Sequence, residues 1–166
     1  LDIPWAKRGA LEEGLQLLFK EHGAAAGRSI AGKLHYGALV GDLLQSLGLI
    51  NEPLHDRTQS FVQAFWWSEP VEAPRYGEAA LNKLKATAHA LDKASEDYLY
   101  TIYMIGEISR RIGRMSDAHL YFEKLLSLRA DRQNDSNRFL FDLAQQQMTQ
   151  PMELMPEESL NPFMSK

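Results

Sequence analysis

Apolar residues recur along this chain in steps of three and four, the spacing that puts one side of a helix against a core. Leu11, Leu15, Leu18 and Phe19 predict a first helix from about Gly9 to Glu21, with Gly23 as its stop. Leu34, Leu39, Leu43, Leu44 and Leu47 predict a second from about Arg28 to Leu47, ended by Gly48. After a turn at Asn51-Glu52-Pro53, a third carries Phe61, Phe65 and Trp66. Pro70 and Pro74 read as brackets of an extended linker, since each restricts the residue before it. Four more helices follow, over about Tyr76 to Lys93, Glu96 to Gly113, Ser116 to Leu128, and Asp135 or Ser136 to Met148. No segment alternates like a strand. The pattern predicts an all-α fold of about seven helices with short connections, an antiparallel helix-turn-helix array.

Composition supports helix: Leu and Ala are plentiful and β-branched residues few. From residue 151 onward three prolines and three methionines crowd a short span, so the chain divides into a helical domain over residues 1–150 and a tail over 151–166. Met152, Leu154, Met155, Leu160, Phe163 and Met164 lie between the tail's prolines and suit an extended segment docked on a helical surface. The net charge of −4 gives no basis for phosphate neutralisation, so nucleic acid is not an expected partner. No apolar run approaches the ~20 residues of a membrane-spanning helix. A cytoplasmic location is expected, although a chain without cysteine carries no redox signature of its compartment. The opening Leu1-Asp2-Ile3-Pro4-Trp5 reads as the start of a piece of a longer protein.

The most specific stretch runs from Tyr100 to Leu128. Gly113 follows Gly106 by seven residues, Ala118 follows by five more, and Phe122 by another four. Mechanically, Gly106 lets a neighbouring helix approach, Gly113 makes the tight turn, Ala118 is small at the crossing, and Phe122 fills the gap. With Ile102, Ile105 and Leu125, these residues resemble a tetratricopeptide (TPR) repeat, which implies a right-handed solenoid. Ser109 and Ala130 depart from that pattern, standing where the family usually has a large aromatic and often has proline. Val40-Gly41 and Gly48 read as a diverged earlier copy. Ile105 through Gly113, followed by Ala118 and then Ala144-Gln145-Gln146, also resembles the helical half of the bacterial DUF2225 family, over about Lys33 to Met148. That resemblance implies an upstream cysteine-rich, zinc-binding segment, which this cysteine-free sequence lacks.

Candidate chemistry is sparse. Gly27 to Lys33 has the spacing of a phosphate loop, but Leu34 replaces the Ser or Thr that would hold magnesium, and no strand precedes it. His22, His35, His55, His89 and His119 include no i, i+4 pair, so no metal site is expected. No nucleophile motif appears, and the chain reads as no enzyme, with no cofactor. Phe61, Phe65, Trp66 and Trp67 are expected to pack into the core; since Trp66 and Trp67 cannot be buried equally on one helix, the alternative leaves one of them exposed as a contact anchor. Arg110, Arg111, Arg114 and Lys124 form a small basic zone.

The expected function is therefore a protein-protein interaction or scaffold module that binds a partner peptide or helix, or a second copy of itself. A structural subunit of a larger assembly and a regulatory domain of a longer protein are the alternatives. The TPR resemblance implies a groove lined by the first helix of each pair. Its residues here are Tyr100, Tyr103, Met104, Glu107, Arg110 and Arg111, joined by His35, Leu39, Asp42 and Gln45 from the weaker copy. Some TPR proteins clamp a carboxylate with Lys and Asn at these places. Tyr103 and Glu107 stand there instead, which favours an apolar or mixed peptide.

Overall fold

The computed structural model describes residues 2–149; the expected tail lies outside them. Among the described residues there are eight helices and no strand: α1 Trp5–Arg28, α2 Ile30–Ser46, α3 Leu54–Trp66, α4 Ala73–Ala90, α5 Glu96–Arg111, α6 Met115–Leu126, α7 Arg129–Arg132 and α8 Arg138–Thr149. The chain forms two compact units, Leu1–Ala80 and Leu81–Lys166, with the boundary inside α4. In the first, α1 packs on α2 and α2 on α3; in the second, α5 packs on α6, and both pack on α8. Packed neighbours joined by short turns must run antiparallel, so each unit is built of helical hairpins. The predicted helical array is what the chain forms.

Two glycines do what their positions predict. Gly48 (φ 71°) and Gly113 (φ 86°) take the left-handed conformation after α2 and α5. Each closes its helix with the same pair of backbone bonds. Gly48 N donates to Gln45 O and Leu49 N to Leu44 O, both at 2.9 Å, while Gly113 N donates to Arg110 O at 3.1 Å and Arg114 N to Ser109 O at 2.8 Å. The carbonyls orphaned at a helix end are thereby satisfied.

Other stop signals were overridden. α1 does not end at Gly23 but runs to Arg28, because Ala24-Ala25-Ala26 are strong helix formers and the Phe19 ring covers Gly23. Ser29 alone then separates α1 from α2; its hydroxyl caps α2 by accepting from Gly32 N at 3.0 Å. The Gly27–Lys33 stretch is thus the end of one helix and the start of the next, with no loop to cradle a phosphate. The expected extended linker is instead a turn, and Pro74 sits in the first turn of α4, where its missing N–H would have had no helical partner. The short α7 carries the chain on through Ala130. α8 begins at Arg138 rather than at Asp135 or Ser136, since the Asn134 side-chain oxygen accepts from the backbone N–H groups of Ser136 and Asn137 and holds them in a turn.

The connection also braces α5. Arg132 donates to the carbonyls of Lys93 (2.6 Å) and Ala94 (2.8 Å) ahead of α5, and Asn137 Nδ2 reaches Glu96 in its first turn at 3.1 Å. α5 itself is buried on every side: all ten residues from Thr101 to Arg110 are buried. A helix so enclosed tolerates close neighbours only where side chains are small. A Cβ on Gly106 would lie 2.7 Å from the Phe122 ring of α6. In the first unit a Cβ on Gly32 would lie 2.1 Å from the Ala25 carbonyl oxygen, so α1 and α2 cross backbone to backbone.

These contacts rank the glycines. Gly32→Ala should destabilise the chain by about 2 kcal/mol or more, since backbone must move, and Gly106→Ala by ~1–3 kcal/mol. Gly37 lies mid-helix in α2 with nothing near its missing Cβ. Gly37→Ala should therefore stabilise by about 0.5–1 kcal/mol through helix propensity alone. Urea unfolding of the three variants reads all three signs.

Candidate functional site

The sequence placed a groove along α5. The structure closes it. Tyr103, Met104, Glu107 and Arg110 are all buried, so they do not line an open surface; only Tyr100 and Arg111 are half-buried. The TPR resemblance implied a groove face on this helix, but α6 and α8 both pack against it. Enclosure has a visible electrostatic result. Tyr103 lies against Phe122, its ring centre 5.9 Å away, and desolvation pushes its phenol well above the ordinary range. Glu107 raises it further, and Arg110 and Arg111 oppose the rise.

Glu107 is wholly buried as a carboxylate, which is tolerable only with partners. Arg110 grips it with two bonds, Nε to Oε1 at 2.7 Å and Nη2 to Oε2 at 2.6 Å, and Arg111 Nε donates to Oε2 at 2.9 Å. Spacings of three and four residues put all three on one stripe of α5. The basic zone is thus in large part an internal ion cluster. Its carboxylate is already engaged by two guanidinium groups, which makes it a brace rather than a base.

Of the residues expected from the first unit, His35 is buried in an aromatic nest. Its ring centre lies 5.0 Å from Tyr76, 5.4 Å from His22 and 5.6 Å from Phe61, each edge-on. Burial lowers its pKa to about 4, with the charges of His22 and Arg75 acting in the same direction. Leu39 and Asp42 are half-buried, and the Asp42 carboxylate accepts from Arg57 Nε at 2.6 Å. Gln45 Nε2 donates to the Glu52 carbonyl at 3.0 Å. The last two bonds tie α2 to the α3 segment. The aromatic cluster does not all pack into the core: Phe61 and Phe65 are buried, Trp66 is half-buried, and Trp67, one residue past the end of α3, is 57% exposed.

Sequence reasoning missed a cavity with an unusual polar lining. A cavity of about 180 Å³ lies between the end of α5, α6 and α8, walled by Arg110, Met115, Ala118, His119, Phe122, Gln147 and Met148. Gln147 is 1% exposed, and neither Nε2 nor Oε1 of its carboxamide has a hydrogen-bond partner. Leaving a buried donor or acceptor unpaired costs ~1–3 kcal/mol. The signal was in the sequence: Gln147 follows Leu140, Leu143 and Ala144 on the buried stripe of α8, where an apolar residue belongs.

The sequence profile of a bacterial protein family, described as "Uncharacterized protein conserved in bacteria (DUF2225)", matches residues 63–150. The chain belongs to the DUF2225 family. The match begins at residue 63, later than the resemblance from Lys33, and takes in the whole of α4 to α8 and so the cavity. Comparison with curated proteins and with solved structures gives no match. The zinc-binding segment implied for DUF2225 finds no residues to fit it here. The sequence has no cysteine, and among the described residues no three His, Asp or Glu side chains gather as metal ligands. No helix among them is long and apolar enough to cross a membrane.

Two substitutions check this electrostatic picture. Glu107→Ala removes the buried carboxylate that both guanidinium groups share and should cost ~3–5 kcal/mol in urea unfolding, whereas Arg111→Ala, half-buried with Arg110 still in place, should cost about 1 kcal/mol. For His35, the unfolded chain binds a proton near pH 6.5 and the folded chain only near pH 4. Stability is therefore complete above about pH 6.5 and is lost as pH falls toward 4, by on the order of 2 kcal/mol. The difference in urea midpoint between pH 7.5 and 5 should shrink in His35→Phe, to an extent set by that imidazole.

Proposed function

We propose that this chain is a TPR-like helical interaction module that binds a segment of another protein and carries no catalytic activity of its own. The α5–α6 hairpin supports the repeat reading. The Phe122 ring lies 2.7 Å from where a Cβ of Gly106 would be, Gly113 makes the left-handed turn, and Ala118 is buried at the crossing. The single observation that carries the binding reading is the cavity beside that hairpin. Its walls are mostly apolar, and its two methionines, Met115 and Met148, adapt readily to a foreign side chain. Partner binding is thereby moved from the predicted groove face of α5 to the junction of α6 with α8.

A structural subunit of a larger assembly is the second reading, favoured by α1. Trp5, Leu17 and Phe19 are large apolar residues left exposed on that helix. Surfaces of this kind are covered in obligate complexes.

Selection of displayed twelve-residue peptides on the intact chain tests the first reading. Enriched peptides should bind in the micromolar range, and Met115→Asp combined with Met148→Asp should weaken them at least about ten-fold while the helical circular-dichroism spectrum is kept. No enrichment, or binding indifferent to the double substitution, defeats it. Mass by light scattering that falls in Phe19→Asp would support the second reading instead.

A further inference from the structure

The cavity can be read for what it would recognise, an inference that rests on the interaction reading and deepens it. Its volume of about 180 Å³ is only slightly larger than the ~150 Å³ that holds one benzene-sized group. It falls short of the roughly 300–1,000 Å³ of sites that take cofactors and drug-sized molecules. One side chain of leucine or methionine size fits; a nucleotide does not. Phe122, Ala118, Met115 and Met148 supply apolar walls for it.

The polar requirement comes from Gln147. Its carboxamide offers an NH2 donor group and a carbonyl acceptor, both unpaired, on a residue only 1% exposed. A carboxylate ligand would satisfy Nε2 and leave Oε1 facing another acceptor. An ammonium would do the reverse. An amide answers both, because it presents an acceptor and a donor of its own. Arg110 adds no call for an anion, since its guanidinium is already held by two bonds to Glu107. The natural ligand with an apolar side chain beside an amide is a residue of a peptide.

We propose that the cavity between α5, α6 and α8 takes a single apolar side chain of an extended partner peptide, with the Gln147 carboxamide hydrogen-bonding to that residue's backbone amide. Gln147 then acts as the reader of the main chain, and the surrounding methionines and Phe122 read side-chain size. Being unpaired in the free chain, the carboxamide weakens the fold slightly in exchange for this recognition.

The probe is N-acetyl-leucine N-methylamide, titrated against the ¹⁵N-labelled intact chain by NMR, with Gln147→Met assigning the carboxamide signal. Saturable shifts of the Gln147 carboxamide and of the Ala118 amide are expected. An ester analogue, in which both amide N–H groups are replaced by oxygen, should bind on the order of ten-fold more weakly. In Gln147→Met that preference should disappear while the thermal midpoint is unchanged or raised. Equal binding of amide and ester to the wild type, or shifts that map elsewhere, would overturn the proposal. If selected peptides bind but keep their affinity in Gln147→Met, the interaction module stands and this cavity is not its anchor. If no displayed peptide is selected but the fragment shifts Gln147 as described, the cavity stands and the broader function falls. A carboxamide signal that moves only when residues 150–166 are deleted would make this chain's own C-terminal segment the occupant and likewise overturn a partner.

Discussion

The second unit depends on how closely two helices can lie. The Phe122 ring rests on the bare backbone of Gly106, at a distance any side chain would forbid. That contact sets the separation of α5 and α6, and Gly113 sets the turn between them. With α6 in place and α8 docked on both, α5 is surrounded. Every later property of the unit follows from that enclosure: the partnered Glu107, the raised Tyr103 phenol, and a cavity at the edge where α6 and α8 part company with α5.

Much of the fold was legible because its signals were local. Gly48 and Gly113 announced left-handed turns by their place after apolar runs, and Gly106, Ala118 and Phe122 announced a crossing by spacing alone. Gly23 misled for the same kind of reason. A glycine is a stop only when nothing downstream sustains the helix, and three alanines did. The start of α8 depended on Asn134 folding back on Ser136 and Asn137, a competition between side chain and helix that residue types do not settle.

The candidate site was far less legible. A polar stripe on a helix has the same sequence whether water or another part of the protein covers it. Glu107, Arg110 and Arg111 were placed on a groove by the repeat resemblance, yet together they form a unit that can be buried. His35, likewise, was placed in a groove by register and is found among aromatic rings. Gln147 was overlooked for the opposite reason. One amide in a run of three glutamines has no distinct pattern, and its meaning lies in the faces of two other helices.

The burial of α5 on all sides also bears on how the second unit opens. Local fluctuations usually release a terminal helix while the rest remains folded. Here detaching α8 would uncover Leu140, Phe141 and Ala144 as well as part of α5, a large apolar area for a helix of twelve residues. Partial opening is therefore nearly as costly as complete opening, and α5, α6 and α8 should come apart as one cooperative block. A protease patrolling such a chain would find the interior of this block only at the rate set by its global unfolding.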